Sequence, residues 1–165
     1  MRASRIAILV FCLAGLAAAP APAFDLNLAV GADFAGDFDL DEVSLDADTG
    51  YSLGLELAFK IPFIEAGVGI EYGFARDAEA VDLDADYYQL YGIGRLFFGP
   101  FYVAGRLGYA DVSFSEAVEG DTGGRSWGFG GGVEFFDKLK IELLFNKLGS
   151  DLGYESWTVR LLYTF

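Results

Sequence analysis

Tyr51-Ser52-Leu53-Gly54-Leu55-Glu56-Leu57-Ala58-Phe59-Lys60 decides the fold. Every odd position is large and apolar. Every even position is small or polar, Glu56 and Lys60 among them. In an extended strand successive side chains point to opposite faces, so this stretch has one oily face and one polar face.

The same pattern recurs on both sides of it. Phe24 to Phe34 is apolar at even positions and polar or small at odd ones. Ile64 to Ala75 sets Ile64, Ala66, Val68, Ile70, Tyr72 and Phe74 against Glu65, Gly67, Gly69, Glu71, Gly73 and Ala75. Trp127 to Phe136 and Trp157 to Phe165 alternate likewise, with Glu134 and Arg160 on their polar faces. Tyr87–Phe98, Phe101–Ala110 and Lys140–Asn146 are less regular. Placing Arg95 on the polar face puts Tyr87, Gln89, Tyr91 and Ile93 beside it and turns Gly92 and Gly94 outward. In the next segment Arg106 goes in, and Phe101, Val103, Leu107 and Tyr109 go out.

These are eight segments of seven to twelve residues, around the ~9–11 that a tilted strand needs to cross a bilayer. Ile61-Pro62-Phe63, Gly99-Pro100 and Asp137-Lys138-Leu139 read as tight turns, and long connections are expected at 35–50, 76–86, 111–125 and 147–156. Short turns on one side and long loops on the other are the layout of an outer-membrane barrel, with both termini on the short-turn, periplasmic side. A soluble barrel also alternates. Two features select lipid as the outer solvent. Aromatics stand at the ends of the oily faces: Phe24 and Phe34, Tyr51 and Phe59, Tyr88 and Phe98, Phe101 and Tyr109, Trp127 and Phe135, Trp157 and Phe165. Rings prefer the boundary between hydrocarbon and headgroups, so two rows of them form girdles. The polar face carries Glu56, Glu65, Glu71, Arg95, Arg106, Glu134, Glu142 and Arg160 among glycines. A closed ring hides these from lipid and pairs every backbone group. The expected fold is all-β, an eight-stranded antiparallel up-and-down transmembrane β-barrel over residues 24–165.

Residues 1–23 read as a cleaved signal peptide. Two arginines precede the apolar run Ile6–Ala19, and Ala21-Pro22-Ala23 is a small-residue cleavage site. The run is short for a transmembrane helix. Cys12, the single cysteine, lies inside it, so the remaining chain is expected to have no thiol chemistry.

The formal charge is −14, from 11 basic and 25 acidic residues, and becomes −16 without Arg2 and Arg5. That balance excludes nucleic acid as a partner. A 53% hydrophobic composition argues against disorder. Eighteen of the 25 carboxylates fall in the four long connections or at their edges, so the negative charge is expected on the exterior side.

Taken together these residues resemble the small outer-membrane barrel domain of OmpA-like and OmpX-like proteins. The resemblance rests on Ala21-Pro22-Ala23, on the Leu90–Arg95 to Val103–Tyr109 hairpin, and on the ending Val159-Arg160-Leu161-Leu162-Tyr163-Thr164-Phe165. It implies localisation in the outer membrane of a Gram-negative bacterium. It also implies surrounding lipid and lipopolysaccharide, and recognition of Tyr163 and Phe165 by the barrel-assembly machinery. The periplasmic peptidoglycan-binding domain that some OmpA-like proteins carry is not expected, because the sequence ends with the barrel segments. It does not specify an activity.

No cofactor is expected, and the chain is expected to be a monomer. Outer-membrane barrel hydrolases and acyltransferases resemble one another in using a histidine base, and this sequence has no histidine, so an enzyme is not expected. The lumen charges are expected to form an ion-pair plug, with Arg95, Arg106 and Arg160 paired to Glu56, Glu71, Glu134 and Glu142. The alternative is a narrow gated pore in which an arginine shifts between glutamates. Asp37-x-Asp39-x-Asp41 and Asp82-x-Asp84-x-Asp86 supply oxygen ligands for calcium or magnesium, although their spacing fits an EF-type loop poorly. The leading functional expectation is a structural or surface-interaction role, in adhesion or envelope integrity.

Overall fold

The computed structural model describes residues 24–40, 43–78, 81–114, 123–149 and 152–165, and their side chains except over 38–47, 75–85, 114 and 152–153. The leader assigned to residues 1–23 lies outside this set, as does Asp41. The strands are β1 (Asp25–Leu40), β2 (Val43–Ala47), β3 (Gly50–Ile61), β4 (Ile64–Ala78), β5 (Val81–Phe98), β6 (Phe101–Phe114), β7 (Gly123–Phe135), β8 (Leu139–Leu148) and β9 (Leu152–Thr164). All pairings are antiparallel, and β9 returns to β1, so the sheet closes.

The nine strands make eight staves, because β2 and β3 are two pieces of one. β1 opposes β3 at Asp33↔Gly50 and β2 at Gly36↔Ala47 in unbroken register. β4 does the same at Ser52↔Gly73 and Ala47↔Ala78. Only Asp48 and Thr49 interrupt this stave.

Opposed residues followed once round from Leu26 run through Leu57, Val68, Gly92, Leu107, Trp127, Lys147 and Glu155, and meet β1 again at Asp37. Discounting the single bulge between Phe34 and Asp37, the stagger is roughly ten residues, which for eight strands demands a tilt of about 35–45°. Closure at that tilt leaves no sheet edge and no unpaired backbone for hydrocarbon to penalise.

Alternation sorts the faces as expected. Leu26, Val30, Leu53, Leu55, Val68, Leu90, Leu107, Phe129, Val159 and Leu161 are exposed outward, while Glu56, Glu71, Arg95, Arg106, Glu142 and Arg160 are buried inside. The irregular segments resolve the same way: Tyr87, Gln89, Tyr91 and Ile93 lie inside with Arg95, and Lys140, Glu142, Leu144 and Asn146 lie inside on β8. Both aromatic rows are exposed, with Phe59, Phe98, Phe101, Phe135 and Phe165 at the short-turn end and Tyr51, Tyr88, Tyr109, Trp127 and Trp157 at the other.

The expected long connections are corrected by the structure. Most of 35–50, 76–86 and 111–114 is strand, as β1 runs to Leu40, β4 and β5 to Ala78 and Val81, and β6 to Phe114. Ladder hydrogen bonds do not end where the lipid ends. Only the demand for an apolar outer face does. Near that level β1 bulges between Phe34 and Asp37 and β4 between Gly73 and Arg76, which bends and twists the projecting hairpins.

Candidate functional site: the ionic lumen

Glycine on the inner face makes room for what fills it. Tyr91 lies opposite Gly69, and Tyr87 opposite Gly73. A Cβ at Gly69 would stand 2.6 Å from the Tyr91 ring, and one at Gly73 2.1 Å from that of Tyr87. Each ring therefore lies across the backbone of its neighbour and aims its hydroxyl at the barrel axis.

At mid-lumen, Arg95 of β5 reaches Glu65 of β4 at 2.6 Å, Glu56 of β3 at 2.9 Å and Glu142 of β8 at 3.0 Å. Arg160 of β9 reaches Glu56 at 2.8 Å, Glu71 at 3.3 Å and Glu142 at 3.5 Å. Two guanidiniums thus share two carboxylates between them. The Tyr91 hydroxyl closes the group, donating to Glu56 at 3.0 Å and accepting from Arg160 at 2.8 Å. The side chains of Arg95, Arg160, Glu56 and Glu142 are all 0% exposed. A planar guanidinium with five donors suits such multiple sharing, which a lysine could not provide.

Towards the outer end the chemistry becomes mixed. Arg106 pairs with Glu71 at 2.9 Å, donates to Asn146 Oδ1, and lies 4.9 Å from the centre of the Tyr91 ring. Asn146 donates to Thr158, which donates to Asp33 at 2.6 Å. The Tyr87 hydroxyl donates to Glu71 at 2.9 Å. Towards the short-turn end Lys140 pairs with Glu65 at 2.9 Å, and Lys60 with Glu134. Below them Phe97 and Tyr102, ring centres 5.0 Å apart, pack with Ala104 and Leu144, and Lys60 Nζ stands 4.7 Å over the Phe97 ring.

The structure thus places six of the seven expected network residues in one group: Glu56, Glu71, Arg95, Arg106, Glu142 and Arg160. Glu134 differs. It sits at the end of β7 opposite Lys140, and its partners are Lys60 and Lys140 rather than an arginine, because no arginine reaches that level. Glu65, Lys140, Tyr91, Tyr87, Asn146 and Thr158 belong to the network without having been assigned to it. Each shares strand parity with an inward charge on its own strand, and that signal was available.

Of the acidic triplets, Asp37 and Asp86 have described side chains. Asp86 accepts from the Tyr72 hydroxyl at 2.6 Å. Asp41 and the side chains of Asp39, Asp82 and Asp84 lie outside the described residues. Among the described residues no group of three carboxylates is placed to hold a metal. Tyr163 and Phe165 are exposed, with ring centres 5.1 Å apart and edge to face.

A closed, tilted, eight-stranded sheet with an apolar girdled exterior and an ionic interior defines an integral outer-membrane β-barrel. The chain belongs to the outer membrane protein beta-barrel domain family, which matches residues 4–165. Its fold is similar to that of Ail, the attachment invasion locus protein of Yersinia pestis, solved in complex with the heparin analogue sucrose octasulfate. That likeness has a TM-score of 0.57 at 17% identity and covers 87% of this chain and 100% of that one. Neisserial surface protein A is similar with a TM-score of 0.58 at 14% identity, over 89% of this chain and 100% of that one. The outer membrane enzyme PagL is similar with a TM-score of 0.54 at 12% identity, over 84% of this chain and 98% of that one. At these identities the likeness is one of fold. A comparison with curated proteins finds no match.

Proposed function

We propose that this barrel is non-enzymatic and serves as a rigid mount for its outward hairpins, in a structural or surface-interaction role at the cell envelope. The cross-braced lumen carries this reading. Arg95 ties β5 to β3 and β8, Arg160 ties β9 to β3 and β4, and Arg106 ties β6 to β4, all through enclosed side chains. Walls tied across their axis resist deformation, and projecting hairpins inherit that stiffness.

Two observations weigh against catalysis. PagL shows that the fold admits an enzyme, so the fold alone excludes nothing. This chain, however, lacks histidine. Ser126, buried, accepts a hydrogen bond from the Gln89 amide rather than facing a base. Against a gated pore stands the sharing itself: moving Arg160 aside strips a partner from Glu56, Glu71 and Glu142 at once.

The acidic sequence of the outward hairpins supports one class of partner over another. Ail was solved with a sulfated sugar. The same role here calls for a basic or neutral surface, since acid-rich hairpins repel a polyanion. Calcium or magnesium would serve as loosely held counterions between the carboxylates and lipopolysaccharide. The closed sheet offers no edge to a second copy, consistent with a monomer. Tyr163 and Phe165 would offer an exposed aromatic pair to the assembly machinery after loss of the leader.

The test uses the barrel in nanodiscs passed over immobilised polylysine and over heparin. Polylysine should retain it and heparin should not. Replacing residues 39–44 by Asn-Gly closes the first hairpin at the opposed pair Phe38↔Leu45. That variant should keep heat-modifiable gel migration and lose most of its retention; undiminished retention would show that this hairpin is not the contact.

A further inference from the structure

The three short-turn hairpins differ in one respect. Two use relaxed turn chemistry: Pro62 follows Ile61, and Gly99, at φ +68°, precedes Pro100. The third, Phe135-Phe136-Asp137-Lys138, places Phe136 at φ +55° and Asp137 at φ +57°, closed by the Lys138 N–H donating to the Phe135 carbonyl at 3.2 Å. Both residues are left-handed, a conformation that Asn and Gly adopt without strain. A phenylalanine in the left-handed region is an outlier that the surroundings must hold in place.

Those holding contacts are present. Asp137 pairs with Lys60 at 3.9 Å, and the Lys138 carbonyl accepts the Thr164 N–H at 2.8 Å. The backbone bond fixes the strained turn to β9, and the exposed pair to Lys60 adds little. What it presents is a ring that no protein atom covers: Phe136 is 94% exposed. It sits next to Phe135 in the rim that Phe98, Phe101 and Phe165 already turn to lipid, so the lipid interface continues onto it. Lys138, exposed two residues on, is in reach of headgroup phosphates.

We propose that the β7–β8 turn is an anchor for the inner-leaflet phospholipid boundary. Phe136 enters the hydrocarbon edge and Lys138 meets the phosphates, and the strain at Phe136 is the conformational cost of aiming the ring there.

Residues 24–165 contain no cysteine, so single sites can be labelled cleanly. Nitroxide-labelled Phe136→Cys is folded into phosphatidylcholine vesicles containing phosphatidylglycerol, with Phe101→Cys as the girdle reference and Ser113→Cys as the aqueous one. The ratio of oxygen to nickel-chelate accessibility at 136 should match 101 and exceed that at 113 severalfold. A ratio equal to that at 113 overturns the proposal and marks the turn as a face for a periplasmic partner. Phe136→Asn with Asp137→Gly supplies the second arm, since it relieves the strain and removes the ring. It should raise the urea midpoint in detergent micelles yet insert into those vesicles severalfold more slowly. Equal or faster insertion overturns the proposal independently.

Discussion

The mid-lumen box and the mouth pair at the short-turn end are built from the same charges and differ in enclosure. Arg95, Arg160, Glu56 and Glu142 are completely enclosed, and each charge is shared between two or three partners. Lys60 and Glu134 face each other with side chains 27% and 8% exposed, and water reaches the lysine. A charge cut off from water needs several partners in fixed geometry, whereas one at a wet rim needs only one. The lumen grades from the first condition to the second, and Lys140, enclosed beside Glu65, is a lysine on the dry side.

Substitutions cost most at the enclosed end of the lumen. Arg160→Ala leaves Glu56, Glu71 and Glu142 short of a partner in a dry interior, and should destabilise the barrel by ~3–5 kcal/mol in urea unfolding from phospholipid vesicles. Arg106→Leu is expected to cost less, about 1.5–3 kcal/mol in the same measurement. Arg160 still faces Glu71 after that change, and the Tyr87 hydroxyl still donates to it. Gly73→Ala tests the packing rather than the charge. Its Cβ would stand 2.1 Å from the Tyr87 ring and displace that hydroxyl from Glu71, for ~1–3 kcal/mol of overpacking. At the wet end Lys60→Ala should cost under about 1 kcal/mol, and raised salt should shrink even that. A Lys60 effect as large as that of Arg160 would mean that enclosure does not set the hierarchy.

Inside the lipid belt the sequence was easy to read, because hydrocarbon on one side and a crowded lumen on the other force each residue to choose a face. The staves through Leu53, Leu55 and Leu57, and the inward places of Glu56, Glu71 and Arg95, follow from parity alone. Above the belt the alternation inverts. In the sequence Val81-Asp82-Leu83-Asp84-Ala85-Asp86 the acids take the parity that large apolar residues hold at Tyr88 and Leu90. An acidic run of that kind reads as a loop although the strand continues. On β1 the bulge between Phe34 and Asp37 also shifts parity by one residue, which hides the continuation further. Which glutamate meets which arginine was not legible, because it depends on the stagger of the barrel and on strands that are distant in the chain. Arg160 meets Glu56 across 104 positions of sequence.

On the proposed reading, shared ion pairs and packed side chains fill this lumen together, and no single arginine gates it. Wild-type protein and Arg106→Ala, each reconstituted in planar bilayers under applied voltage, should both give a flat baseline. Reproducible unitary currents in the wild type that change in Arg106→Ala would contradict the claim and make the lumen a conducting path.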